Sequence, residues 1–403
     1  MKFLPASLSH RGWSFFNCGD GNLRGMPPNL SIPDHTIFRD SDVLESDHVP
    51  EEFNYRDAQM KDLAFSLRPG LHGARPINTI LRGIPGTGKT TSVKHIFAEV
   101  EETTKRILPV YVNCQNDKTL FAVLSRIHRQ MFGHAPPALG YPRGQLLDKI
   151  GRTLMDRKEV LSVCLDDANY LLPGKLLNNI LYTILRLYEM YPGTKSGVMV
   201  TVSNVETNFS RELDPCVMSV FQPMEIYFSP YTRDEVRGIL QDRVHQALYP
   251  GAMSDEILDL IVDKAMSCGD LRVGLDLVRR AALSAERADL MEVNGQHVES
   301  AFEFSQNIHL ETTTKTLTDD ELTLLTHIAT LTLEEPDTPI IAGSLYDSVQ
   351  MKMQLSYTLF HQRIKKFDEM RLINVNMKHK RNGGKTSEIM LRYDPVKVME
   401  VCG

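Results

Sequence analysis

A glycine-rich loop between an apolar run and an amphipathic run constrains the fold of this chain more than any other feature. Residues 83–90 read GIPGTGKT and fit the pattern G-x-x-x-x-G-K-[ST]. The apolar segment 78–82 predicts a buried strand, and the apolar spacing over 91–100 predicts a helix. Strand, loop and helix together are the context of a phosphate-binding loop, so we predict that the chain binds a nucleoside triphosphate.

The residue types of this loop predict how ATP or ADP is held together with Mg²⁺. Backbone N–H groups converge on the phosphates, and the start of the next helix adds positive potential. We expect Lys89 to reach the β- and γ-phosphates and the Thr90 hydroxyl to ligate the metal. The alternative is a chance glycine turn. The predicted nucleotide-binding residues of the loop are Pro85, Gly86, Thr87, Gly88, Lys89, Thr90 and Thr91.

A mostly apolar run over 160–167 ends in two aspartates. Such a run is typical of a strand that is buried on both faces of a parallel sheet. Its carboxyl end then lies beside the phosphate loop, which places Asp166 to bind Mg²⁺ directly or through water. The alternative is an edge strand that happens to end in two acids. Further apolar runs alternate with helical patterns, which predicts an α/β domain with a mostly parallel sheet.

The chain divides into four predicted regions. Residues 1–45 lack clear periodicity and are predicted to form a flexible extension, followed by the α/β base over 46–230 with a helical insertion near 117–145. Residues 231–308 show only helical patterns, which predicts an all-helical domain. Residues 315–403 show three helical patterns and then two strand-like runs joined by a basic, glycine-containing turn. That order predicts a winged helix, a variant of the helix-turn-helix.

Basic residues concentrate in the winged-helix region, although the chain has a formal net charge of −6. Residues 351–393 hold ten Lys and Arg against three Asp and Glu. A local basic patch of this kind is what an acidic protein needs to bind DNA, whereas the alternative is a solvated charged face. The predicted DNA contacts are Arg363, Lys365 and Lys366 on the candidate recognition helix, and Lys378, Lys380, Arg381 and Lys385 on the wing.

Composition narrows the classes of protein to which this chain can belong. The six cysteines form no Cys-x-x-Cys pair, which disfavours a zinc knuckle or a disulfide framework and suits a reducing compartment. We find no apolar run near the roughly 18 residues of a membrane span, and no apolar core of a signal peptide near residue 1. We therefore expect no membrane partner and a cytoplasmic, nucleoid-associated protein.

The ordered set of motifs resembles the archaeal origin-recognition and Cdc-six-type DNA replication initiators, which are AAA+ ATPases. The resemblance runs from about residue 38 to the end of the chain. Its motifs, besides the loop, the acidic strand and the winged helix, are YRDAQ at 55–59, SN at 203–204, LDP at 213–215, SPY at 229–231 and GDLR at 269–272. The fold that it implies is an AAA+ P-loop base, a helical lid and a C-terminal winged helix.

The resemblance also implies roles for single residues. Asn204 would orient the attacking water, Arg272 would reach the phosphates from the lid, and Tyr231 and Arg243 would frame the nucleotide. The alternatives are a strand-end cap for Asn204, a packing role for Tyr231 and a surface position for Arg272. The insertion near 117–145 would contact DNA beside the winged helix. The implied partners are double-stranded origin DNA, the replicative helicase and initiator paralogues.

Two residues depart from the hydrolytic pattern of that family. Asp167 stands where the family has glutamate as the base, and a carboxylate displaced by about 1 Å can cost roughly 10²-fold in rate. Cys216 stands where an arginine finger worth about 10³–10⁵-fold follows Asp-Pro, and nearby Arg211 lies off the motif. We therefore expect ATP hydrolysis to be slow or partner-dependent while ATP binding is intact.

The sequence thus favours an ATP-dependent DNA-binding initiator in which ATP acts as a conformational switch. Two alternatives stay open. The first is a diverged paralogue that acts as a nucleotide-regulated interaction module or a negative regulator without origin specificity. The second is a clamp-loader-like ATPase, which the basic winged helix disfavours.

Overall fold

The computed structural model describes residues 36–45, 48–50, 53–137, 142–203, 208–336, 338–353, 355–379 and 385–402. Within these residues the base is built on a parallel five-stranded sheet in the order β2-β3-β4-β1-β5. The strands are β1 (Thr79–Arg82), β2 (Ile107–Asn113), β3 (Val160–Asp166), β4 (Lys195–Val202) and β5 (Met224–Tyr227). Every residue of β3 is buried, as its continuous apolar run predicts.

Helices cover both faces of this sheet through two separate apolar cores. The amphipathic run in the predicted insertion forms α3, which Thr119 caps and whose apolar face packs into the larger core. The helices of the base are α1 (Asp57–Leu71), α2 (Lys89–Thr103), α3 (Leu120–Phe132), α4 (Arg143–Arg157), α5 (Leu176–Leu185), α6 (Leu187–Met190), α7 (Phe209–Glu212) and α8 (Pro215–Phe221). Short 3-10 turns lie at Ser41–Leu44, Ala168–Leu171 and Pro173–Lys175.

The lid is all-helical, as the sequence predicts, and consists of four helices. Thr232 and Glu235 make a capping box at the start of α9, and the Asp270 side chain caps α11. The lid helices are α9 (Arg233–Ala247), α10 (Asp255–Cys268), α11 (Leu271–Arg287) and α12 (Gly295–Thr314).

The prediction of a flexible extension through residue 45 is wrong for residues 37–45. Ile37, Val43 and Leu44 are buried in the apolar core of the lid. The backbone N–H of Tyr249 donates to the Ile37 carbonyl over 3.1 Å. These contacts join positions about 200 residues apart, so local periodicity could not indicate them. Residues 1–35 lie outside the described part of the chain.

The C-terminal region is a winged helix built on one apolar core. Thr318 and Glu321 form a capping box at the start of its first helix. Its antiparallel sheet has the strand order β6-β8-β7 among the described residues. The elements are α13 (Asp319–Glu334), β6 (Ile340–Ile341), α14 (Ala342–Lys352), α15 (Tyr357–Glu369), β7 (Ile373–His379), β8 (Lys385–Leu391) and α16 (Pro395–Cys402).

Among the helices of the described ranges, not one combines the length and the apolar character that crossing a bilayer requires.

Candidate nucleotide-binding site

The phosphate loop depends on glycine at two positions where the backbone is left-handed. Gly86 has φ +79° and Gly88 has φ +88°. A Cβ atom at Gly88 would lie 2.7 Å from the Tyr231 hydroxyl, and one at Gly86 would collide with the Asp270 carboxylate. Because only glycine fits both the conformation and the space, the loop can bring its N–H groups to the start of α2.

Lys89 is the first residue of α2 and is folded back onto the loop. Its Nζ donates to the carbonyl oxygens of Gly83 at 2.8 Å and Ile84 at 2.9 Å. Burial lowers the pKa of Lys89, while the nearby carboxylates of Asp167 and Asp166 act in the opposite direction. The ammonium is therefore held inside the loop, where a phosphate group would meet it.

Asp166 is 3% exposed and collects three hydroxyl donors at the carboxyl end of β3. They are Thr90 Oγ1 at 2.9 Å, Tyr111 at 2.6 Å and Thr201 Oγ1 at 2.5 Å. Burial and the Asp166 charge together raise the pKa of Tyr111, so it stays a neutral donor. The two residues predicted to ligate Mg²⁺ are thus in direct contact. Tyr111 and Thr201 were not expected at this site, since neither belongs to a motif.

Asp167 follows β3 in a left-handed conformation with φ +54°. Its N–H donates to Thr201 Oγ1 over 2.8 Å, and its Oδ1 accepts from Ser203 Oγ over 2.8 Å. Aspartate tolerates this backbone region better than most residues because its short side chain bonds locally. Asn204, the predicted water-orienting residue, lies outside the described residues.

Base and lid together enclose a cavity of about 710 Å³ around the loop. Asp167 and Ser203 line it from the sheet, and Arg243 and Arg272 line it from the lid. Its apolar lining includes Val49, Pro50, Phe53, Ile239, Leu271 and Leu275. A cavity with a phosphate loop, opposing cations and apolar side chains can hold both the phosphates and the base of a nucleotide.

Arg56 ties the loop to the segment after β5, a role that the sequence did not reveal. Its guanidinium lies 3.7 Å from the ring centroid of Tyr231. Nε donates to the Thr87 carbonyl at 3.1 Å, and Nη2 donates to the Ser229 carbonyl at 2.8 Å. The motif at 55–59 was the available signal, but it did not assign this contact. Arg56, stacked on Tyr231, thus holds the phosphate loop in place at Thr87.

The two arginines of the lid have different partners. Arg243 is buried, its pKa is lowered by that burial, and its Nη1 donates to the Val43 carbonyl at 3.0 Å. Arg272 forms a bidentate pair with Asp270, with Nη2–Oδ2 at 2.7 Å and Nε–Oδ1 at 3.0 Å. Burial favours neutral Asp270, but the hydrogen bonds and charge of Arg272, together with Arg371, outweigh it and lower the pKa of Asp270. Arg272 keeps 59% of its side chain exposed, so a ligand in the cavity can reach it.

Comparison with known proteins identifies the family. The sequence matches the Cdc6 AAA+ ATPase-type lid domain over residues 237–303 and an AAA domain over residues 76–203. An ORC1-type DNA replication protein 2 of Methanosarcina acetivorans is 40% identical, covering 92% of this chain and 97% of the relative. The chain belongs to the ORC1-type DNA replication proteins. A further member, protein 6 of Halobacterium salinarum, is 38% identical and covers 91% and 96%.

Solved structures agree with this ORC1-type assignment. The structure of the Aeropyrum pernix ORC1 protein in complex with DNA aligns with a TM-score of 0.65 and 27% identity, covering 91% of this chain and 96% of that one. The Aeropyrum pernix ORC2 protein aligns with a TM-score of 0.71 over 91% and 97%, and at 24% identity it shows the fold alone. The predicted family and the predicted architecture of base, lid and winged helix are confirmed.

On the candidate recognition helix of this ORC1-type chain, two predicted DNA contacts are paired with acids of α13. Arg363 is 8% exposed, and its Nη2 donates to Asp320 Oδ2 at 2.9 Å. Lys366 Nζ donates to Glu321 Oε2 at 2.7 Å. Both acids belong to α13, so the Arg363 and Lys366 side chains join α15 to α13. The exposed residues of α15 are instead Tyr357, Thr358, Leu359, His361, Gln362, Lys365 and Glu369. Lys365 Nζ lies 3.9 Å from Glu369 Oε1 on this face.

Two of the predicted wing contacts lie at the adjoining ends of β7 and β8. Lys378 pairs in register with Thr386 on β8, and Lys385 pairs with His379 on β7. Lys380 and Arg381 lie outside the described residues. The backbone therefore places Lys378 and Lys385 at the tip of the wing, as the sequence predicts.

Proposed function

We propose that this protein is an ATP-binding, DNA-binding replication initiator in which ATP acts as a switch between base and lid. The observation that carries the proposal is the cavity in which the phosphate loop faces Arg272 of the lid. A triphosphate in this cavity would contact both domains at once. Its binding energy would therefore favour one arrangement of base and lid over others.

The residues fit ATP or ADP with Mg²⁺. Gly86 and Gly88 leave the loop open. Among the described residues, Lys89 Nζ bonds neutral carbonyls, which a phosphate would replace with stronger charge-assisted bonds. Thr90 and Asp166 offer two adjacent oxygens of the hard type that Mg²⁺ prefers. Pro85, Thr87 and Thr91 also line the cavity. When bound, the metal would neutralise charge on the phosphates.

Hydrolysis by the isolated chain is expected to be slow. The Asp167 carboxylate is one methylene shorter than glutamate and accepts from Ser203, which holds it toward the sheet. Cys216 is exposed at the start of α8 and cannot supply a guanidinium. A partner subunit, such as an initiator paralogue, would have to contribute that charge. The slow step would make ATP a long-lived signal.

Double-stranded origin DNA is the proposed target of the winged helix. The Aeropyrum pernix ORC1 relative is described in complex with DNA. In this chain the exposed polar face of α15 has the shape and chemistry to enter a major groove. The wing residues would contact phosphates, and the insertion near 117–145 would add a second contact. A replicative helicase is the proposed downstream partner of the DNA-bound form.

A second candidate is a diverged paralogue that regulates initiation without origin specificity. It is favoured by one observation, since Arg363 and Lys366 are engaged with α13 and leave fewer cations to read bases. Footprinting on genomic DNA with ATP and with ADP distinguishes the two functions. The initiator protects discrete sites and responds to the nucleotide, with Lys89→Ala as the nucleotide-free control. Uniform protection in all samples supports the paralogue.

A further inference from the structure

The Asp270 carboxylate lies between two arginines from different domains. Arg272 of the lid holds it through the bidentate pair. Arg371 of the winged helix donates from Nη1 to Asp270 Oδ2 at 3.2 Å and to the Cys268 carbonyl at 3.3 Å. The Asp270 side chain is only 6% exposed, so its charge depends on these partners. Of the two arginines, Arg272 lines the nucleotide cavity.

Arg371 occupies a specific place in the winged helix. It follows the C-cap residue of α15, Met370, and precedes the first residue of β7, Ile373. Its φ is +58°, in the left-handed region that a side chain such as arginine seldom adopts, and its N–H donates to the Asp368 carbonyl at 3.0 Å. The contact with the lid therefore starts at the junction between the candidate recognition helix and the wing.

Arg272 cannot use the same two donor atoms, Nε and Nη2, to bind Asp270 and a triphosphate at the same time. The bidentate pair uses its Nε and Nη2 atoms, so these two atoms can grip a γ-phosphate only after they leave Asp270. If Arg272 turns to the phosphate, Asp270 loses its main partner while it stays buried. A buried carboxylate without a partner is strongly unfavourable, and Arg371 is the cation already in place. ADP lacks the γ-phosphate and would leave the Arg272 pair intact.

We propose that Arg371 is a positioning residue of the nucleotide site, supplied by the winged-helix domain, which neutralises Asp270 when Arg272 turns to the γ-phosphate of ATP. This inference rests on the proposed ATP-binding function. The preference for ATP over ADP would then depend on the contact that Arg371 of the winged helix makes with Asp270 of the lid. Because coupling is reciprocal, DNA that moves Arg371 would change the affinity for ATP by the factor by which ATP changes the affinity for DNA.

The test is a titration of the full-length chain with ADP and with a non-hydrolysable ATP analogue. We expect Arg371→Ala to weaken binding of the ATP analogue on the order of tenfold, within the usual range of coupling effects, and to change ADP binding by less than about twofold. Arg371→Lys should restore part of the loss. The matched control is Arg392→Ala, because Arg392 is a neighbouring arginine that bonds Asn374 at 2.6 Å instead of Asp270. It should leave both affinities unchanged.

The Arg371→Ala substitution in an Asp270→Asn variant separates an effect on ATP binding from a general loss of stability. Asp270→Asn keeps an N-cap residue on α11 but removes the charge, so Arg371→Ala should have no further effect on ATP binding there. Equal losses for ATP and ADP, or a loss that persists in the Asp270→Asn background, would overturn the inference. So would unchanged ATP affinity in Arg371→Ala, although the proposed function would stand. Wild-type protein that binds no ATP would overturn both.

Discussion

Lys89 Nζ lies 2.8 Å from the carbonyl oxygen of Gly83 and is only 5% exposed, so the ammonium is bonded to the loop that it closes. Neutral carbonyls are weaker partners for a buried cation than ionised oxygens are. Burial lowers the pKa of Lys89, and the carboxylates of Asp167 and Asp166 offset part of that effect. A phosphate group would supply the charged partner that this lysine lacks among the described contacts.

Lys89→Ala should therefore abolish measurable ATP binding. The substitution removes the cation expected at the β- and γ-phosphates and leaves the glycine conformations of the loop intact. Isothermal titration calorimetry with ATP and Mg²⁺ measures the effect. Lys61→Ala, an exposed lysine on α1, is the control for charge and should bind as wild type does. Equal affinity in wild type and Lys89→Ala would show that the loop is not the phosphate site.

The second prediction concerns turnover. Purified wild type should hydrolyse ATP very slowly, because Cys216 follows Pro215 and cannot act as an arginine finger, a group worth about 10³–10⁵-fold. Asp167→Glu should raise the rate only when a partner supplies that guanidinium. Glutamate also fits φ +54° less readily than aspartate, which limits the gain.

The rate of phosphate release in single- and multiple-turnover assays tests this prediction. Asp167→Asn is the matched control, since asparagine tolerates the same backbone conformation but cannot act as a base. It should fold normally and show no turnover. Rapid hydrolysis by wild type, with contaminating ATPases removed, would show that Asp167 and Cys216 do not limit the reaction.

Local patterns explain which parts of the site were predictable. The glycine loop and β3 are contiguous stretches, and their spacing predicts both the element and its position at the edge of the sheet. The contact between Thr90 and Asp166 follows from those two elements, because parallel strands present their carboxyl ends together. Arg56 was not predictable in the same way. Its partners Tyr231 and Ser229 lie far along the chain and are brought near only by the completed sheet.

Tertiary contacts also decide which face of a helix meets solvent. The sequence predicts the helix that contains Arg363. The charge of the Arg363 side chain, taken alone, suggests that it is exposed to solvent. The structure pairs it with Asp320, because α13 packs against that face of α15. Segment 37–45 is a similar case, since its apolar residues find partners only in the folded lid. Periodicity reports the element, whereas long-range packing sets the environment of each side chain.

Acid should weaken the contact between α13 and α15. Glu321 is buried, which favours its neutral form, yet bonds from Lys366 and the Thr318 N–H lower its pKa below the usual value. A carboxylate with a depressed pKa in the folded state stabilises the fold at pH values above its unfolded pKa of about 4.3. That contribution is lost as the pH falls through the folded value.

Scanning calorimetry of wild type and Glu321→Gln at pH 7, 5 and 4 tests this. At pH 7 the variant should unfold at the lower temperature, and the difference should shrink toward pH 4, because the carboxyl of the unfolded chain binds a proton there before the folded one does. A difference that is independent of pH would mean that Glu321 acts through packing alone. Glu388→Gln on the wing strand β8 serves as a second carboxylate replacement in the same domain.

The last prediction separates a structural arginine from a DNA contact on the same helix. Arg363→Ala should lower the stability of the winged helix by about 1 kcal/mol, because Asp320 is mostly exposed and regains water. It should leave DNA specificity unchanged. Lys365 is exposed on α15, so Lys365→Ala should weaken DNA binding, by about 1–3 kcal/mol on the preferred site if it reads a base. Neutralising Lys378, Lys380, Arg381 and Lys385 should weaken binding to all duplexes alike.

Titration of each variant against a specific and a random duplex at two salt concentrations distinguishes these roles. Every phosphate contact that is lost should reduce the salt slope by about 0.9, so the wing variant should show a shallower slope on both duplexes. If Arg363→Ala instead relaxes specificity at unchanged stability, Arg363 must leave Asp320 when DNA binds. If the wing variant binds every duplex as wild type does, with the same slope, the winged helix does not bind DNA through this surface. The regulatory paralogue would then be the better account of the chain.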